Sequence, residues 1–122
     1  GANTWIGTRM QNGSKGCVEA AGKIGSYYSP FLAKESKSGV AGVSTLVSDA
    51  QKAGVGVVSY NSSNLSKGDV VVYGNNKHVV IYDGAGGYYG NSTSKNKVVH
   101  GSNYLSMSGL KPTKIIKTGG GK

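Results

Sequence analysis

Beyond residue 55 the chain alternates short β-branched and aromatic runs with turns rich in Gly, Asn and Ser, and that alternation leaves few folds open to it. The runs fall at about residues 55–60, 69–73, 78–83, 87–91, 96–100 and 113–118. Most of the gaps between them are too short to carry a crossover helix, so successive runs are expected to pair antiparallel. The first half reads differently. Val18, Ala21, Ile24 and Tyr28 fall on one stripe of a helix running from about Gly16 to Tyr28, and Pro30 marks its boundary. Phe31 to Glu35 is expected to add a short helical turn, and Gly39 to Gly42 a loop. Ser44 can cap a helix through about Ala53, with Leu46, Val47 and Ala50 inward and Gly54 as its stop. Helices first and strands after predict an α+β fold, with N-terminal helices packed on a five- to six-stranded antiparallel sheet. At 122 residues the chain forms one domain, 1–122.

Two residues carry the chemistry. Cys17 is the only cysteine, and Asn12-Gly13-Ser14-Lys15-Gly16 before it reads as a turn leading into a helix. A thiol at a helix N-terminus meets unpaired N–H groups and the positive end of the macrodipole, both of which favour the thiolate. A small buried hydrophobe is the alternative reading of the same residue. His78 opens the strand His78-Val79-Val80-Ile81-Tyr82-Asp83, which follows Gly68-Asp69-Val70-Val71-Val72-Tyr73-Gly74 across a short polar loop, so the two form a hairpin. A histidine at a strand end can be held by the sheet with one ring nitrogen free, as a general base facing a cysteine requires. A half-buried histidine bonded to backbone is its alternative.

The two stretches Gly68 to Gly74 and His78 to Gly84 resemble the signature of the NlpC-type cell-wall cysteine peptidases, a family of papain-like fold related to the CHAP amidases. The resemblance runs from about Trp5 to Leu110. It implies that Cys17 is the nucleophile and His78 its base, and that Trp5, twelve positions before the cysteine, shapes the substrate cleft. The family's third catalytic residue lies about twelve positions after the histidine. Here that position is Gly90, and Asn91, one step further, is the residue expected to orient His78, with His100 as the competitor. Gly16-Cys17-Val18-Glu19 stands where the family has Asp-Cys-Ser-Gly. The implied activity is a peptidoglycan endopeptidase acting on cell-wall stem peptides, of bacterial or phage origin.

Fourteen Lys and Arg against five Asp and Glu give a net charge of +9, spread along the whole chain. Only one of the fourteen is Arg, which argues against base-edge reading of nucleic acid, while a diffuse lysine field suits attraction to an anionic polymer such as a teichoic-acid-bearing wall. No stretch approaches the ~18 apolar residues of a membrane span, and no His, Cys, Asp and Glu cluster has metal-ligand spacing, so neither metal nor cofactor is expected. The expected partner is peptidoglycan and the expected state a monomer, secreted or wall-associated. The ends Gly1-Ala2 and Gly119-Gly120-Gly121-Lys122 suggest a module of a longer protein. Two other functions remain open at this level: a non-catalytic module binding wall or another anionic polymer, and an amidase or acyltransferase on the same fold.

Overall fold

The computed structural model describes residues 2–13 and 16–119. Ser14 and Lys15, within the expected turn before Cys17, lie outside the described residues, as do Gly1 and 120–122. Three helices, α1 (Cys17–Gly25), α2 (Pro30–Lys37) and α3 (Val43–Lys52), precede six strands: β1 (Val57–Ser59), β2 (Val70–Tyr73), β3 (His78–Tyr82), β4 (Tyr88–Ser92), β5 (Lys97–Gly101) and β6 (Pro112–Ile116). The strands form one antiparallel sheet in the order β1-β6-β2-β3-β4-β5. This is the expected α+β arrangement, with the helices on one face of a six-stranded sheet.

Alternation along β2 explains the two layers. Val70 and Val72 join Val79, Ile81, Val98 and Ile116 in a core shared with Val18, Ala21, Ile24, Leu32 and Leu46 of the helices. Val71 and Tyr73 point the other way, into a smaller cluster with Val80, Tyr104, Tyr60, Tyr82 and Tyr88. With both faces covered, β2 is fully buried, and a run of three valines suits such a strand. The tyrosine side satisfies its own hydroxyls: those of Tyr60 and Tyr104 lie 2.7 Å apart, and the Tyr73 hydroxyl donates to the Tyr104 carbonyl at 2.6 Å.

The expected first helix is shorter than its stripe. α1 ends at Gly25, and residues 26–28 form a turn before Ser29, whose hydroxyl accepts from the Leu32 N–H and caps α2. Pro30 therefore starts a helix instead of only ending one, since its missing N–H is no loss in a first turn. α3 likewise begins at Val43, with Gly42 rather than Ser44 at its N-cap.

Asp69 fastens the sheet. Its buried carboxylate pairs with Lys117 and accepts the N–H groups of Ser66 at 2.8 Å and Gly119 at 2.7 Å. The Gly-Asp turn thereby ties the start of β2 to the end of β6. Among the described residues no helix is long and apolar enough to cross a membrane.

Candidate active site

α1 begins at Cys17, where the sequence places it, and Gly16 at the N-cap supplies no capping side chain. The helix-start amides are thus free to act on the thiol. Backbone N–H groups of Val79, Val18 and Cys17 itself all favour the thiolate, but burial of the half-exposed side chain outweighs them and pushes the thiol above its ordinary pKa. The helix terminus favours the thiolate as expected, and desolvation outweighs it.

The loop before Cys17 is held from two sides. Glu19 in the first turn of α1 accepts the Gln11 and Asn12 N–H groups, each at 2.9 Å. From the sheet, the Asn91 side-chain amide donates to the Gly13 carbonyl at 2.9 Å. Gly16 is packed tightly: a Cβ there would lie 2.6 Å from the Met10 Cβ. This backbone has no room for the aspartate that precedes the nucleophile in the resembled family.

His78 starts β3, next to Val79, whose backbone amide favours the Cys17 thiolate. Its ring lies 6.1 Å from that of Tyr73, its cross-strand partner, on the tyrosine side of the sheet. It makes no hydrogen bond among the described residues. Burial holds its pKa below the ordinary histidine value, so the ring is neutral at pH 7. β3 pairs with β4 only through Ile81–Tyr89 and Tyr82–Tyr88, so the ladder stops short of His78. Beyond that point lies a cavity of about 430 Å³, lined by His78, Asn91, Tyr88 and the serine-rich turns at 92–94 and 106–108.

His78 and Asn91 thus share a cavity, while Cys17 is not among its lining residues. The expected His78–Asn91 hydrogen bond is not present. Asn91 instead uses its donor on Gly13, and its Oδ1 is buried without a partner among the described residues. The reason lies in the pleat: Gly90 is on the His78 side of the sheet and Asn91 on the helix side. A side chain at 90 would not fit, since a Cβ there would lie 2.8 Å from the Val80 Cγ1.

Trp5 ends a 3-10 turn (Ala2–Trp5) and packs, half-buried, on the helix-side core with the Lys23 ammonium 5.3 Å from its ring centre. It stands beside α1 and does not line the cavity. His100 is engaged elsewhere. Its Nε2 lies 2.7 Å from Asp83 Oδ2, and its ring stacks on Tyr89 with centroids 4.2 Å apart. Burial raises the Asp83 pKa, but the His100 hydrogen bond and the Ala85 and Gly87 N–H groups more than reverse it, leaving a net lowering. Among the described residues no group of three or more His, Cys, Asp or Glu could hold a metal ion. Sequence reading missed the Val79 amide, the Glu19 clamp and the Asp83–His100 pair. Only the last had a usable signal, an acid and a histidine at corresponding strand ends.

Searches against family models, curated proteins and solved structures return no match for this chain.

Proposed function

We propose that this domain is a cysteine peptidase of the NlpC type, with a papain-like fold, that hydrolyses peptide bonds in the stem peptides of peptidoglycan. The observation that carries the reading is the setting of Cys17: a lone thiol at a helix start, whose thiolate is favoured by amides of α1 and by that of Val79, the residue after His78. Those amides stabilise a thiolate, and helix-start N–H groups can also hold the oxyanion of a tetrahedral intermediate.

In this reading the His78 side chain, which lies on the tyrosine side of the sheet while Cys17 packs on the helix side, turns past the open end of β3 when substrate binds and takes the Cys17 proton. The sulfur adds to the peptide carbonyl and a C–S bond forms. The C–N bond breaks as His78 returns the proton to the leaving amine. Water, with His78 again as base, cleaves the thioester to a carboxylate and restores the thiol. Asn91 fixes the approach of the Gly13 loop to α1, and Trp5 supports α1 from the side. The lysine field draws the domain to an anionic wall outside the cell, where it acts as a monomer.

Complete alkylation of Cys17 with iodoacetamide at high pH tests this. Release of soluble fragments from purified sacculi is expected to stop in proportion to the thiol consumed. Undiminished release from fully alkylated protein would exclude a cysteine mechanism.

A second reading has a specific observation behind it. The raised thiol pKa and the absence of a Cys17–His78 contact suit a non-catalytic wall-binding module with an inert cysteine. Such a module would bind sacculi and release nothing from them.

A further inference from the structure

In a chain of net charge +9, the cavity beside His78 has no Lys, Arg, Asp or Glu among its described lining residues. Besides His78 and Asn91, its wall is formed by Tyr88, by Ser92, Thr93 and Ser94 on one side, and by Ser106, Met107 and Ser108 on the other. His78 adds a neutral imidazole, because burial lowers its pKa. An anionic ligand buried here would find no cation to offset its desolvation. Hydroxyls both donate and accept, so they match a ligand whose own groups do the same.

Two further features shape the site. Tyr88 packs directly over Gly101, its partner on β5, where any side chain would occupy the space of the ring. The ring is therefore a fixed platform, with an apolar face for stacked C–H groups and a polar rim. Asn91 contributes to the wall where β4 passes the cavity, while its side chain is turned to the helix side and bonded to Gly13. The volume of about 430 Å³ lies within the usual range of small-ligand sites.

We infer that this cavity seats an uncharged, hydroxyl- and amide-bearing saccharide unit of the wall polymer on the Tyr88 ring, beside His78. The choice of polymer rests on the function proposed above; the class of ligand rests on the lining. The enzyme then reads the glycan side of its substrate as well as the peptide.

The test titrates the Cys17→Ala protein with a short N-acetylglucosamine oligomer and follows backbone amide chemical shifts. Saturable shifts confined to the segments 88–94 and 106–108 are expected. Tyr88→Ala is expected to weaken binding about tenfold or more, the equivalent of ~1.4 kcal/mol, while Tyr88→Phe retains it. Should Tyr88→Ala not fold, Ser106→Arg, at an exposed position, blocks the cavity and is expected to abolish binding. No saturable shifts, shifts elsewhere, or unchanged binding by a folded Tyr88→Ala or Ser106→Arg protein overturns the inference. Cys17-dependent wall cleavage without oligomer binding removes the saccharide seat and leaves the proposed function standing. Binding at Tyr88 without wall cleavage does the reverse.

Discussion

Asn91 donates its side-chain amide to the carbonyl of Gly13, 78 residues earlier in the chain, at 2.9 Å. That bond ties the centre of β4 to the loop that delivers Cys17. Because a carbonyl can only accept, it also fixes which end of the amide is nitrogen. Asn91→Ala is expected to destabilise the fold by about 1–3 kcal/mol, the usual effect of leaving a buried polar group unpaired. Asn91→Asp is expected to do more. It sets a carboxylate against a carbonyl, and a negative charge on the helix side of β4 raises the Cys17 pKa further. Denaturant unfolding measures the first effect, and the pH dependence of alkylation the second. An unchanged thiol pKa in Asn91→Asp would show that residue 91 does not act on the nucleophile.

Burial dominates the Cys17 thiol, so in the free protein its alkylation midpoint should lie above the ordinary cysteine value of about 8.5. Stopped-flow alkylation across the pH range checks this. A midpoint below 7 would mean that His78 already contacts the sulfur at rest.

His78 titrates below the ordinary histidine value because it is buried. Its neutral form is the base, so the acid limb of the pH–activity profile should fall below about 6.5. The same shift bears on stability. A histidine whose folded pKa is depressed contributes stability that is present above its unfolded pKa and lost as pH falls through it towards the folded value. His78→Gln should therefore unfold less readily on mild acidification than the parent, while losing all hydrolysis.

Glu35 behaves in the opposite sense. Burial, and then Asp49 alongside it, push its carboxyl up to about 7. Lys34 pulls the other way, and Lys52 shares the same surface hollow. A carboxyl with a raised folded pKa stabilises most below its unfolded value, about 4.3, and this is lost as pH rises through 7. Glu35→Gln should flatten the fall in thermal stability between pH 5 and 8, without changing activity. An unchanged fall would show that Glu35 is ionised in the folded protein throughout that range.

The outline of this fold was legible because each half kept one period: 3.6 in Val18, Ala21 and Ile24, and 2 in the Val70–Tyr73 and His78–Tyr82 strands. Six strands, their antiparallel sense and the start of α1 at Cys17 all follow from that. The site was legible only in part. Local sequence does not record which face Asn91 takes: the turn at Gly84–Gly87 pairs Ile81 with Tyr89, which leaves Gly90 on the His78 face and Asn91 on the other. Nor does it record that His78 rests against Tyr73, or that desolvation of Cys17 exceeds the pull of its amides. Those depend on packing between distant segments.

The Asp83–His100 pair bridges β3 and β5 over Tyr89 at the end of β3 remote from His78. His100→Ala is expected to lower stability by at most about 1 kcal/mol, since the imidazole is 40% exposed and its ion pair is open to solvent screening. Wall cleavage should stay within a few-fold of the parent. A loss of cleavage as complete as that of Cys17→Ala would place His100 in the catalytic set.

The most direct test compares the protein with its Cys17→Ala variant on purified peptidoglycan sacculi, with released fragments identified by mass spectrometry. The account predicts new stem-peptide termini from the parent and none from the variant, with the two proteins equally stable. Equal release from both, or none from the parent on walls of several chemotypes, would contradict it.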